Sequence, residues 1–452
     1  MRSKLKMSKL LLKNAVLVTP ERIIRNDLLI EDKIITKIDR DISCDDAKVI
    51  DCHEYVVLPG LIDEHVHFRQ PGMEQKATIF SESRAALLGG VTSYLDMPNN
   101  NPSTCTMELL NAKKAIAAKD SVANYGFYLG ANDDNLEEIK KAPVKEIAGI
   151  KVFMGSSTGN LLVDKYEKLM PIFESARTII ALHCEDTATI LKNEKIAKEH
   201  YGDNAPFSMH PIIRNRDCCI KSTALAIEIA KETGARIHIM HISTKEEVQM
   251  LNELKFGNVV TRQISGEACI PHLFFSESDY ESKQGFLKCN PAVKTEQDRL
   301  AIVQAVENGI LTTVGTDHAP HELAVKTGPY FKCASGMPSV RFSLLALLDL
   351  WKRKEITLET ISKVTSENVA ARFHIKNRGR IAEGYYADLA IIDPNKRTLV
   401  TKDLIASKCK WSPFEGTSFA SSVVHTIVNG SLCVENGVLV DAPVAMPLEF
   451  DR

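Results

Sequence analysis

The rhythm of hydrophobic and polar positions changes along the chain and divides it into three segments. Near the start, short apolar runs separated by turn-forming and charged residues predict strands at residues 11–18, 27–30, 34–38 and 49–51. Near the end, the same pattern predicts strands at 387–392, 422–428 and 432–434. Asn429-Gly430 and Asn436-Gly437 predict two hairpin turns. We expect the two ends to pair in one small β domain.

The middle of the chain alternates short apolar runs with amphipathic stretches, which is the rhythm of β–α units. The apolar runs lie at residues 91–97, 147–154, 178–184, 236–242 and 309–315. Because this rhythm persists over about 300 residues, it favours an α/β fold with a closed (β/α)8 barrel of TIM type over an open sheet. We therefore predict a barrel over residues 59–374 and a small composite β domain built from residues 1–58 and 375–452.

Composition excludes several classes of protein. With 44% hydrophobic residues, 25% charged residues and a net charge of −2, the chain resembles an ordinary globular protein and lacks the basic bias of a nucleic-acid-binding protein. No stretch approaches the ~20 apolar residues of a membrane span. The 11 cysteines are odd in number and form no Cys-x-x-Cys pair, which predicts reduced thiols and a cytoplasmic location.

Polar residues gather at the carboxyl ends of the apolar runs, where barrel enzymes have their active sites. His65 and His67 would share one face of the first barrel strand, and Arg69 would follow on that face. Three more polar residues end other apolar runs: His183, His241 and Asp317. Four imidazoles and a carboxylate at one rim suit zinc or another borderline divalent cation. A lone His-x-His could equally be two satisfied polar histidines.

Lys151 lies inside an apolar run, where an unpaired charge is costly. The simpler interpretation is an ion pair with a nearby acid. The alternative is that its neutral amine adds CO₂ and forms a carbamate. Such an anion could bridge two cations about 3.5–4 Å apart.

Other histidines are expected to have structural roles. His238 shares a strand with His241 but has the opposite parity, so we expect it to face the surrounding helices and not to bind metal. The isolated histidines are expected to be surface or structural residues: His53, His200, His210, His272, His374 and His425.

In order along the chain, these motifs resemble those of the amidohydrolase superfamily. The matching segments are His65-Val66-His67, Lys151, His183 in Leu-His-Cys-Glu-Asp, His241 in His-Ile-Ser-Thr, and Asp317 in Thr-Asp-His-Ala-Pro-His. The resemblance implies one cation held by His65, His67 and Asp317. It implies a second cation held by His183 and His241, with carboxylated Lys151 bridging the two and zinc as the expected metal. Asp317 would also be the catalytic acid and base.

Within the superfamily the chain is most similar to the dihydroorotases, which interconvert L-dihydroorotate and N-carbamoyl-L-aspartate in pyrimidine biosynthesis. The similarity lies in the segments Phe68-Arg69-Gln70-Pro71-Gly72, Asp96-Met97-Pro98-Asn99-Asn100, Asn290-Pro291 and His318-Ala319-Pro320-His321. It implies that Arg69, Asn99 and His321 hold the substrate carboxylate and that Asn290 contacts the ring. A carboxylate favours a guanidinium with neutral donors nearby. The simpler interpretation of Arg69 is a salt bridge at the strand end.

Two other interpretations remain open. An allantoinase, hydantoinase or dihydropyrimidinase, acting on a neutral ring, would share the fold and the metals, and Arg69 is the feature against it. A non-catalytic barrel kept as a scaffold would be expected to have lost ligands, but all six candidate ligand positions are filled. The expected partner is a small-molecule substrate. A homodimer and an association with a carbamoyltransferase are both compatible with the resemblance.

Overall fold

The computed structural model describes residues 9–19, 21–155, 161–255, 257–440 and 445–452. The strands, in chain order, are β1 (Lys9–Val18), β2 (Ile23–Glu31), β3 (Ile34–Asp39), β4 (Lys48–Asp51), β5 (Val56–Pro59), β6 (Leu61–Val66), β7 (Val91–Asp96), β8 (Asn124–Phe127), β9 (Leu129–Gly130), β10 (Ile150–Phe153), β11 (Ile180–His183), β12 (Ile237–Ile239), β13 (Ile264–Cys269), β14 (Thr313–Gly315), β15 (Leu389–Asp393), β16 (Thr398–Leu399), β17 (Ser418–Phe419), β18 (Ser422–Val428), β19 (Ser431–Glu435) and β20 (Val438–Leu439).

The α-helices are α1 (Ile79–Leu88), α2 (Met107–Asp120), α3 (Leu136–Lys141), α4 (Tyr166–Ser175), α5 (Thr187–Tyr201), α6 (His210–Ile213), α7 (Arg216–Thr233), α8 (Lys245–Glu253), α9 (Ile270–Phe274), α10 (Tyr280–Lys283), α11 (Glu296–Glu307), α12 (Ser343–Lys352), α13 (Leu358–Ser362) and α14 (Asn368–Phe373). Within the described ranges, no helix combines the length and the apolarity that crossing a membrane requires.

The strands β6 to β14 form a parallel barrel. β6, β7 and β8 pair in order, and β9 to β14 pair in order. Only one residue separates β8 from β9, so these two count as one interrupted strand of the barrel. The barrel closes between its first and last strands, where the amide of His67 donates to the carbonyl of His318 at 2.8 Å. All residues of these strands are buried, as expected for parallel strands covered by helices. The predicted (β/α)8 barrel is confirmed.

Local signals explain where several barrel helices begin and end. Thr78, Thr244 and Thr295 cap α1, α8 and α11, and each threonine side chain accepts a hydrogen bond from the backbone of the third helical residue. α7 ends at Thr233 and is capped by Gly234, whose φ of +73° is the left-handed conformation that a glycine adopts without strain. The chain then needs only two more residues before β12 begins.

Both chain ends contribute to a second sheet with the order β20-β19-β18-β15-β5-β1-β2-β3, and β4 pairs with β1. The antiparallel pair of β5 and β15 joins the two ends. The turns Asn429-Gly430 and Asn436-Gly437 have φ values from 48° to 79°, as two-residue type I′ hairpins require. The predicted composite β domain is therefore present. Its boundaries at residues 58 and 375 stay predictions, and residues 1–8 of its first segment lie outside the described ranges.

Candidate active site

A cavity opens at the carboxyl ends of the barrel strands and is lined mostly by polar side chains. Its lining consists of His65, His67, Arg69, Asn99, Phe153, His183, His241, Asn290, Asp317, Ala319, Ser335 and Gly336. The remaining two predicted site residues are buried beside it. The Nζ atom of Lys151 is 4.8 Å from the ring centre of Phe153, and His321 contacts Arg69. The structure therefore brings all ten predicted residues to one end of the barrel.

His65, His67 and Asp317 form the first group of potential metal ligands. Oδ1 of Asp317 lies 3.3 Å from Nε2 of His65 and 3.1 Å from Nε2 of His67. Burial opposes the ionisation of Asp317, but attraction by the two histidines outweighs it and places the carboxyl pKa well below its usual range. Burial also lowers the pKa of His67 to about 4, which favours the neutral imidazole that binds metal.

His183 and His241 form a second group, with Nδ1 of His183 only 2.9 Å from Nε2 of His241. Burial lowers the pKa of both imidazoles. Nδ1 of His241 is buried and has no hydrogen-bond partner in the described part of the chain. Leaving a buried polar atom without a partner is costly. His65, His67 and Asp317 bring three donor atoms close enough to hold one cation, and the ring centre of His241 lies 5.3 Å from that of His65, so the second group is next to this site.

Lys151 is fully buried, and among the described residues its Nζ atom has one hydrogen-bond contact, with Sδ of Met240 at 3.2 Å. Burial lowers its pKa to about 8, against the attraction of Glu267 and Asp317. Among the described residues, no carboxylate lies within the 4.0 Å of an ion pair with this amine. The ion pair that was the simpler interpretation of Lys151 is therefore not found there.

Glu267 is a buried residue of β13 that the sequence pattern did not reveal. Its Oε1 atom accepts hydrogen bonds from Nδ1 of His65 at 2.9 Å and from the backbone amide of His241 at 3.0 Å. A carboxylate that binds the second nitrogen of a ligating histidine fixes the orientation of the ring. Glu267 thus positions one residue from each group. Its only signal in the sequence is an acid among small residues, Ser265-Gly266-Glu267-Ala268.

The loop after β7 is anchored by a buried ion pair between Asp96 and Lys113 at 2.8 Å. The other carboxylate oxygen of Asp96 accepts from the amide of Phe68 at 2.9 Å. These contacts hold Asn99 against the first ligand group, with its Oδ1 2.6 Å from Nδ1 of His67. Asn99 therefore orients His67 in addition to lining the cavity.

Arg69 is buried on the substrate side of the cavity. Its Nε donates to the carbonyl of Pro320 at 3.2 Å, and its Nη2 donates to Nε2 of His321 at 3.1 Å. Burial and the charge of Arg69 lower the pKa of His321, which suits this accepting role. Nη1 of Arg69 and Oδ1 of Asn290 are buried without a hydrogen-bond partner among the described residues. The salt bridge that was the simpler interpretation of Arg69 is not found in this part of the chain.

Two expectations about side-chain direction were wrong. β6 ends at Val66, and Arg69 has a φ of +71°, so Arg69 reaches the cavity from a turn and not from the face of the strand. His238 faces the barrel interior and not the helices, because its Nδ1 contacts Oγ of Ser265 at 2.7 Å and its Nε2 contacts Oγ1 of Thr313 at 3.2 Å. His241 follows the end of β12 with a φ of +40°, so strand parity does not relate it to His238.

Known proteins share this architecture over nearly the whole chain. The sequence profile of the amidohydrolase family matches residues 56–433. The chain belongs to this family. This amidohydrolase is 31% identical to a dihydroorotase from Methanosphaera stadtmanae, over 94% of its own length and 96% of the relative's. It is 30% identical to an allantoinase from Desulfitobacterium hafniense, over 97% and 98% of the two chains.

Among solved structures, this amidohydrolase matches the L-hydantoinase (dihydropyrimidinase) from Arthrobacter aurescens with a TM-score of 0.91 and 25% identity, over 98% of its own chain and 100% of the other. The predicted membership of the superfamily and the similarity to dihydroorotases are confirmed. Relatives named for other cyclic substrates are similar to a comparable degree, so the choice of substrate depends on the residues of the cavity.

Proposed function

We propose that this amidohydrolase is a dihydroorotase, a metal-dependent enzyme that interconverts L-dihydroorotate and N-carbamoyl-L-aspartate in pyrimidine biosynthesis. The observation that carries the proposal is the buried guanidinium of Arg69. It lines the same cavity as the candidate metal ligands, and its Nη1 has no partner in the part of the chain that the structure describes. A buried charge without a partner is costly, and a guanidinium fork matches a carboxylate. Dihydroorotate carries a ring carboxylate, whereas hydantoin, dihydrouracil and allantoin do not.

The neutral groups around Arg69 complete a site for a carboxylated ring. The hydrogen bond from Arg69 to His321 holds the guanidinium in place, and Asn99 lines the same cavity. Oδ1 of Asn290 is a buried acceptor that a ring N–H could satisfy. The cavity thus offers a cation for the carboxylate and an acceptor for the ring.

We assign one divalent cation to His65, His67 and Asp317, and a second to His183 and His241, with zinc as the first candidate and Lys151 carboxylated between them. When bound, the cations would supply Lewis acidity toward water and toward the amide carbonyl. Asp317, held ionised, would accept the proton of the attacking water as the new C–O bond forms. It would return that proton to the leaving nitrogen as the C–N bond breaks. Ring closure follows the same steps in reverse.

The two alternative functions each meet a specific obstacle. An enzyme for neutral rings would bury the charge of Arg69 without a use for it. A scaffold would gain nothing from Glu267, which is buried and holds His65 and the backbone of His241 in the orientation of a metal site.

The experiment is a comparison of ring opening by protein purified without chelator, after its divalent metal content has been measured. Dihydroorotate, allantoin, hydantoin and dihydrouracil are supplied under identical conditions, and the products are separated by chromatography. We expect kcat/KM for dihydroorotate to exceed that for each neutral ring by roughly a hundredfold or more, since a buried charge pair is at stake. Activity on neutral rings only would reject the proposal. Folded protein without divalent metal and without activity would favour the scaffold.

A further inference from the structure

A second cavity, of about 370 Å³, lies at the opposite end of the barrel, beside the residues that precede β11 and β12. Its charged lining is strongly biased in sign. It contains five basic residues and one acid: Arg177, Arg236, Arg372, His374, Arg452 and Glu174. None of the ten predicted site residues lines it. We call this cavity the arginine pocket.

Among the described residues, the arginines of the pocket donate to neutral groups. Nη2 of Arg236 donates to the carbonyl of Val260 at 2.6 Å, and its Nη1 donates to Nε2 of His374 at 3.1 Å. Nη2 of Arg372 donates to the carbonyl of Ile237 at 2.7 Å. The Nε atoms of both arginines are buried and have no partner in the described ranges.

The other two arginines follow the same pattern. Nη2 of Arg452 donates to the carbonyls of Ala148 and Phe373, both at 2.7 Å. Nη2 of Arg177 donates to the carbonyl of Ala142 at 3.4 Å. Within the described part of the chain, none of the four arginines forms an ion pair, and the acids beside the pocket, Glu174 and Asp451, are both exposed.

This crowding of like charges has an electrostatic cost. Burial and the charges of Arg236 and Arg262 lower the pKa of Arg372 to about 9. Burial, followed by the charges of Arg236 and Arg452, lowers the pKa of His374. Cationic side chains that are partly or wholly buried without a counter-charge disfavour one another, and a bound anion would remove that repulsion.

We propose that the arginine pocket binds a small polyanion with two or more adjacent phosphate groups, either free pyrophosphate or the phosphate tail of a nucleotide. Guanidinium groups match phosphate oxygens through paired N–H donors. Arg177, Arg236 and Arg452 line the pocket and keep accessible side-chain surface, so their guanidinium groups can reach a ligand there, whereas Arg372 is fully buried and contributes only its charge. The cavity has the volume of a small-molecule site, and Glu174, its one acidic lining residue, is exposed to solvent and forms no ion pair with the arginines among the described residues.

The test is a calorimetric titration of the metal-loaded protein with pyrophosphate, ATP, orthophosphate and sulfate at one fixed ionic strength, so that general screening is the same throughout. We expect pyrophosphate to bind at least about tenfold more tightly than orthophosphate or sulfate, since two phosphate groups engage more guanidinium donors. Equal affinities for pyrophosphate and ATP assign recognition to the phosphates alone. Tighter binding of ATP assigns the site to a nucleotide.

Variants locate the binding. Arg236→Gln should weaken pyrophosphate about tenfold or more, and Arg177→Gln about threefold, because an exposed charge is screened more strongly. Arg353→Gln, at an exposed arginine paired with Asp349 on α12, is the matched control and should change nothing. Arg177 is exposed, so Arg177→Gln should fold normally. This variant therefore tests the pocket even if Arg236→Gln fails to fold. Unchanged affinity in both pocket variants overturns the proposal. So does a loss of binding in Arg69→Gln instead, or equal affinity for all four anions.

Discussion

The substrate assignment makes a quantitative prediction for Arg69→Gln. The substitution keeps a polar side chain of similar reach but removes the charge and the fork of donors. In the folded protein the guanidinium is buried, bonded to Pro320 and His321, and has one donor, Nη1, without a partner among the described residues. A substrate carboxylate would accept from this donor. Loss of the guanidinium should therefore impair turnover of a carboxylated ring and spare turnover of a neutral one.

The magnitude follows from the burial of Arg69, which is only 3% exposed. A charge-assisted hydrogen bond contributes about 1.5–3 kcal/mol, and removing one partner of a buried charge pair costs about 3–5 kcal/mol. At 1.36 kcal/mol per factor of ten, kcat/KM for dihydroorotate should fall by about 150- to 5000-fold. Any residual activity on hydantoin should change by no more than about threefold, because no charge pair is lost there.

The assay measures kcat/KM for both rings together with the divalent metal content of each preparation. Arg341→Gln is the matched control, because burial lowers the pKa of Arg341 and of Arg69 alike to about 10. Arg341 lines a groove beside α1 and β18, away from the active-site cavity, so this variant should keep wild-type kinetics. A parallel loss on both rings, or a loss of metal in Arg69→Gln, would refute the substrate role and make Arg69 a structural residue.

Three further predictions concern the metal centre and the stability of the fold. Lys151→Ala should lose both metal and activity, with partial rescue by short-chain carboxylic acids; elemental analysis and ring-opening assays check this, and full activity would exclude the bridge. Glu267→Gln should weaken metal binding by about 10- to 100-fold in a chelator competition, because a neutral amide oxygen replaces the carboxylate that accepts from both His65 and His241. Burial lowers the pKa of His272 to about 4, below the 6.5 of an ordinary histidine. Between these two pH values His272 is protonated in the unfolded chain but not in the folded one, so acidification destabilises the fold. In urea unfolding, His272→Gln should remove about 2 kcal/mol of the stability difference between pH 5 and pH 7; an unchanged difference would show that His272 is not the group responsible.

The sequence predicted the barrel wherever a strand is a continuous apolar run. Two barrel strands lack that signal. β8 and β9 are short pieces separated by one residue, and they include Asn124, Gly126 and Gly130. β13 has the sequence Ile-Ser-Gly-Glu-Ala-Cys, in which small and polar residues interrupt the apolar positions. Glu267 was missed for this reason, since its strand was not recognised and its partners, His65 and His241, are far away in the chain.

The candidate site residues converge at one rim even where the reasoning about strand parity failed. Arg69, His241 and Asp317 follow the ends of β6, β12 and β14, and their φ values are +71°, +40° and +46°. No pattern of alternation predicts side-chain direction at such a residue, and the conformation costs about 1–3 kcal/mol at each non-glycine position. Parallel strands of a barrel end at one rim, so a polar residue just beyond a strand reaches the mouth whichever way its strand faced.

Contacts between strands must then maintain the strained conformations. The amide of His241 donates to Glu267. Oδ1 of Asp63 accepts from the amides of His65 and Thr316, so the buried Asp63 carboxylate holds the residue that directly precedes Asp317. Apart from the contact of Asp63 with His65 inside β6, these bonds join residues of different strands or of the segments that follow them. Candidate ligands can therefore be proposed from local sequence, but the carboxylates that orient them become visible only when the barrel has brought the strands together.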